Sequence, residues 1–63
     1  MNRLKETRFK KKISQFKLSL KSGIWQSRIS FIENDRWNPC EKEKNKLAKA
    51  LNVEVDWLFP ERK

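Results

Sequence analysis

The chain has 63 residues, with 16 Lys and Arg against 8 Asp and Glu, a formal charge of +8, no histidine and a single cysteine, Cys40. A chain this short holds one small domain around one core, with no room for a separate effector domain. Without histidine, a second cysteine or a glycine-rich phosphate loop there is neither nucleophile, base nor metal cage, so catalysis, a metal site and a cofactor are all set aside.

The elements in chain order are short helices with almost no strand signal. Asn2 is a good cap for a first helix running to about Lys11, with Leu4, Arg8 and Phe9 at helical spacing. Lys12-Ile13 breaks into a second helix over about residues 14–21, capped by Ser14, and Ser22-Gly23 ends it where glycine can take a left-handed cap. A third helix spans about residues 26–33, with Ile29 and Ile32 as its buried stripe and Ile24 just before it. Asn34-Asp-Arg-Trp-Asn-Pro39 reads as a polar loop. A fourth helix, Glu41 to Leu51, turns Leu47, Ala48 and Leu51 inward, and a last turn, Val55 to Phe59, stops at Pro60.

The expected architecture is an all-α, compact bundle of five short helices in one domain, residues 1–60, followed by a tail at 61–63. Its core is Leu4, Ile13, Leu18, Ile24, Ile29, Ile32, Leu47, Ala48, Leu51, Val55 and Leu58, joined by Phe9 and Phe59. The N-terminus lacks an apolar signal core, and no apolar run approaches the roughly 18 residues of a membrane span, so a soluble, cytoplasmic protein is expected. The unpaired Cys40 fits a reducing compartment.

The charge is lopsided. Residues 1–38 hold ten Lys or Arg against Glu6, Glu33 and Asp35, a net of +7, whereas residues 39–63 net +1. An excess of this size and sign attracts phosphate polyanions or anionic membranes, and its clustering assigns the anion-facing surface to the first two thirds of the chain.

Two short helices joined by a tight glycine-containing turn, inside a small basic all-α unit, are what a helix-turn-helix requires. ISQFKLSLKSGIWQSRISFIEN resembles the core of the Cro/phage-repressor-type (XRE-like) helix-turn-helix family, and KLAKALNVEVDWLF resembles that family's closing segment. With Arg8, the likeness covers about residues 2–60. It implies a lambda-repressor-like domain that binds double-stranded DNA as a transcriptional regulator, repressor-like in action, with residues 26–33 in the major groove of an operator half-site.

On that resemblance Gln26 and Ser27 are the main base readers. Glutamine has the donor and acceptor needed to pair with adenine, and serine can play either role. Arg28 has the reach for a guanine or a phosphate. Phe31 is placed to meet a thymine methyl or sugar edge, or to pack against Trp25 or a partner. Gln15 matches a position that contacts a phosphate and braces the reader, which makes Gln15 to Gln26 an expected hydrogen bond. Asn34 and the loop after it match the second backbone clamp, with Arg36 and Asn38 as phosphate donors and Trp37 against a sugar, in the groove or, alternatively, folded back on the core of the domain; Lys10, Lys12 and Lys17 add phosphate contacts. The resemblance also pairs Arg8 with Glu33 as an architectural ion pair.

The chain departs from the family pattern at several positions. Trp25 stands where a Ser or Thr cap is usual, Lys17 replaces a common acidic residue, Cys40 makes a poor cap before Glu43, and Glu41 and Lys44 stand where apolar residues are frequent. Glu41 to Lys44 and Glu43 to Lys46 read as solvated-face pairs.

A monomer covers one half-site, so a homodimer on an inverted repeat is expected, with Val53, Trp57 and Phe59 as its apolar contact; Trp57 is alternatively part of the monomer's own core. A reading of another class is an antitoxin or small adaptor whose main partner is a protein, bound through Phe16, Trp25, Phe31 and Trp37. A membrane-surface binder is disfavoured, since the helices are short and core-forming, and no small-molecule ligand is evident.

Overall fold

Polar residues at the chain's punctuation points set the helix ends in the computed structural model, which describes residues 2–60. The Asn2 carboxamide oxygen accepts the Leu4 N–H at 2.9 Å and so caps α1 (Leu4–Lys10) from one residue further out than usual. Its nitrogen donates to the Ile32 carbonyl at 2.9 Å and to Asp35 Oδ1 at 3.3 Å, tying the start of the chain to a segment thirty residues on. Lys12, at φ 56°, turns the chain sharply out of α1.

Ser14 then caps α2 (Gln15–Ser22), its hydroxyl accepting the Lys17 N–H at 3.0 Å. Replacing Ser14 by alanine removes that acceptor, and urea denaturation followed by circular dichroism is expected to register a loss of about 1 kcal/mol. Gly23, at φ 78°, closes α2 by donating its N–H to the Ser19 carbonyl at 2.8 Å.

α3 (Gln26–Glu33) begins after Trp25 with no side-chain cap, as the missing serine or threonine predicts. α4 (Glu41–Leu51) starts after Cys40, whose N–H donates to Glu43 Oε1 at 3.2 Å, and ends at Asn52 in the left-handed region. α5 (Val55–Leu58) is a single turn that Phe59 closes onto the Val55 carbonyl at 2.8 Å. Five helices and no strand make up the described residues, an all-α fold. The tail assigned to 61–63 lies outside them.

α2 packs against both α3 and α4, α1 lies on α3, and α5 covers α4. Between them Leu4, Leu18, Ile29, Ile32, Leu47 and Leu58 are fully enclosed, with Ile24, Ala48, Leu51 and Phe59 completing the core. Ile13 and Val55 pack on its rim, half-buried. Arg3 fastens the N-terminus to α5: its N–H donates to the Leu58 carbonyl at 2.9 Å, its Nη1 to the Trp57 carbonyl at 2.7 Å, and its guanidinium lies 4.8 Å over the Trp57 ring.

Several expectations are corrected. Phe9 is not core but 62% exposed, because Leu4, Thr7 and Arg8 form the inward stripe of α1 at the i, i+3, i+4 spacing and position 9 falls outside it. Phe59 is 6% exposed and belongs to the core, which removes it from any dimer surface. Lys44 is not on a solvated face. Its stem is buried, and its ammonium sits 5.9 Å from the Phe59 ring centroid, so a long aliphatic chain fills a place where the family often has an apolar residue.

Candidate nucleic-acid interface

A helix of eight residues that sinks Ile29 and Ile32 completely must present its opposite face to solvent. On α3 that face carries Gln26 and Ser27 in the first turn and Phe31 one turn later, all exposed. Ser30 falls on the same face by its spacing from Gln26 and Ser27 and is half-buried. The i, i+4 spacing from Gln26 is the signal in the sequence that marks it. Trp25, 80% exposed, stands at the head of this face.

The helix is held from behind by a charged knot. Arg8 Nε donates to Glu33 Oε2 at 2.6 Å and its Nη2 to Glu33 Oε1 at 3.3 Å, while Arg8 Nη1 donates to the Ile13 carbonyl at 3.0 Å. The two side chains are 7% and 1% exposed, so the pair joins α1 to the end of α3 away from water. The Arg8–Glu33 pair implied by the family pattern is thus present.

Gln15 joins the same knot. Its amide donates to Glu33 Oε1 at 3.0 Å, in place of the expected bond to Gln26. A carboxylate is a stronger acceptor than a neutral carboxamide, and Glu33 keeps an oxygen within reach of α2. Gln26 is exposed, and the Gln15 amide has a second N–H for an outside acceptor.

The remaining backbone-contact candidates lie on other elements of the chain. Lys10 and Lys12 are exposed at the α1–α2 turn, and Lys17 is exposed in the first turn of α2 beside Gln15. Asn34 is exposed at the end of α3, its amide donating to the Ser30 carbonyl at 2.9 Å. Arg36 and Asn38 are exposed on the following loop, and Trp37 between them is 43% exposed. Lys21, by contrast, lines an open groove between α2 and α4 with Ser22, Lys46 and Lys49.

Arg28 is engaged within the domain. Its Nη1 donates to Glu43 Oε2 at 2.6 Å, and its guanidinium lies 4.1 Å over the Trp37 ring. Glu43, expected to pair with Lys46 on a solvated face, instead spans from α4 to α3. Nothing in the sequence around Glu43 signals this, since its partner is fifteen residues away across a loop.

A family model described as a helix-turn-helix domain matches residues 1–60. The chain belongs to this XRE-like helix-turn-helix family. Two relatives from Archaeoglobus fulgidus, both called uncharacterized HTH-type transcriptional regulators, are 32% identical over 57 residues; the match covers 90% of this chain and 80% and 81% of theirs. In this domain α2 and α3 pack on each other, joined by Gly23-Ile24-Trp25. Ser22 braces the turn by accepting the Ile24 N–H on its hydroxyl at 3.2 Å, and Ile24 anchors it in the core.

Proposed function

We propose that this protein is a sequence-specific, double-stranded DNA-binding transcriptional regulator that occupies an operator and acts as a repressor. The observation that carries the reading is the exposed face of α3, where Gln26, Ser27 and Phe31 stand clear of the core on a helix fastened from behind by Arg8, Glu33 and Gln15. Family membership and the names of the two relatives support the DNA-binding and regulatory part. Gln26 and Ser27 read base edges, and Phe31 meets a thymine methyl or sugar. Gln15, Lys10, Lys12, Lys17, Asn34, Arg36 and Asn38 hold phosphates on either side, with Trp37 in the clamp loop between the last two.

The protein works as a homodimer on an inverted repeat, with half-sites about one helical turn apart. Trp57, 40% exposed, and the half-buried Val53 form the apolar part of the contact. Among the described residues no helix is long and apolar enough to cross a membrane; the regulator proposed is cytoplasmic and non-enzymatic.

Selection of sites from random duplex DNA tests the reading. An enriched inverted repeat, bound about a thousandfold or more over a scrambled duplex, is the expected result. Gln26→Ala should then relax one base position in each half-site by about 1–3 kcal/mol, read from a second selection with the variant. Weak, equal binding to both duplexes would end the proposal and favour a protein partner for the exposed Phe16, Trp25 and Phe31.

A further inference from the structure

Arg28 sits at a junction of three parts of the domain. Its own backbone is in α3, the ring beneath its guanidinium is Trp37 in the loop after α3, and its carboxylate partner is Glu43 in α4. The guanidinium is planar, so one face can stack on an indole while an edge donates to a carboxylate, and both contacts together fix its orientation. Glu43 is itself fixed, since its other oxygen accepts the Cys40 N–H at 3.2 Å. The loop of residues 34–40 is therefore held at its middle by Trp37 and at its end by Cys40, both through groups that meet Glu43 or its arginine.

Position on the helix explains why this arginine turns inward. Gln26, Ser27 and Phe31 point away from the Ile29 and Ile32 stripe, whereas residue 28 lies on the flank beside Ile32, facing α4. Its side chain is 34% exposed and that of Glu43 19%, so the pair is partly withdrawn from water, where charge-assisted bonds keep their strength. The two loop residues that carry the phosphate donors, Arg36 and Asn38, flank the stacked tryptophan on either side.

We infer that Arg28 is a positioning residue: stacked on Trp37 and bonded to Glu43, it presets the 34–40 loop against α3 so that Arg36 and Asn38 meet phosphates already ordered. It reads no base itself. Ordering a long side chain on association costs about as much as a several-fold change in affinity, and a loop held in place beforehand avoids that cost. The inference rests on the DNA-binding reading for its consequence, though the Arg28–Trp37–Glu43 arrangement belongs to the free protein.

The decisive variant is Glu43→Gln, compared with Glu41→Gln, which removes the same charge from the same end of α4 outside the cluster. Binding to the selected duplex is titrated at constant salt, site selection is repeated with Arg28→Ala, and amide hydrogen exchange is followed in the free proteins. Glu43→Gln is expected to weaken binding about tenfold, although it removes a negative charge from a protein that binds a polyanion. Glu41→Gln should leave binding equal or slightly tighter, and Arg28→Ala should weaken it without changing the selected sequence. In the free protein Glu43→Gln should speed exchange at residues 35–38.

Tighter binding by Glu43→Gln than by Glu41→Gln, or loss of preference at one base pair with Arg28→Ala, would overturn the inference by making Arg28 a reader that Glu43 restrains. Unchanged exchange at 35–38 would overturn it even without DNA. If the wild-type protein enriches no site, the DNA-binding reading fails, and the exchange measurement still decides whether Arg28 holds the loop.

Discussion

Replacing Arg8 by alanine strips the Glu33 carboxylate, 1% exposed in the intact pair, of two of its three hydrogen bonds, and the domain is expected to lose on the order of 3–5 kcal/mol. A domain of this length has a total stability of about 3–9 kcal/mol, so the loss removes a third of it at the least and all of it at the low end of that range. Most of that loss is the cost of an uncompensated buried charge, not the net strength of the pair. The double variant Arg8→Met, Glu33→Met puts apolar bulk in the same space and should be more stable than Arg8→Ala alone. Urea titrations of the wild type and both variants, followed by far-ultraviolet circular dichroism, give the comparison. A loss below about 1 kcal/mol for Arg8→Ala would mean that water reaches the carboxylate and that the knot does not hold α1 to α3.

DNA affinity should fall about 10⁴-fold between 50 and 200 mM monovalent salt. Lys10, Lys12, Lys17 and Arg36 are exposed, and in the proposed dimer two copies of each neutralise roughly eight phosphates, which gives a log–log slope of about −7. Lys17→Gln, which removes one cation per protomer, should flatten the slope by about 2 and weaken all sequences alike, in contrast to the position-specific effect of Gln26→Ala. Fluorescence anisotropy of a labelled operator across a salt series measures both. A slope near zero would show that the positive charge of residues 1–38 serves some purpose other than phosphate contact, and would return attention to a protein partner.

These two expectations draw on different depths of the chain. The charge imbalance, the five helices, the Ser14 and Gly23 helix ends and the apolar stripes that put Leu18, Ile29, Ile32, Leu47 and Leu51 inside follow from residue type and spacing within one or two helical turns. Local periodicity and capping chemistry determine them, because those forces act between neighbours in sequence. The Arg8–Glu33 pair was legible too, through the family pattern that the two positions match.

What only the tertiary structure decided is where the long polar side chains go. Gln15 had two acceptors to choose between, and the Glu33 carboxylate prevails over Gln26 because it is charged and within 3.0 Å. Arg28 has the reach for a guanine or a phosphate, but the approach of α4 places Glu43 at 2.6 Å. Of the two phenylalanines expected in the core, Phe59 is buried and Phe9 faces solvent, and Lys44 is buried with its stem. A side chain with three or four rotatable bonds can follow any of several directions from one helical position. The choice is made by which charged or apolar group another helix brings near, and that separation is a property of packing, not of spacing along the chain.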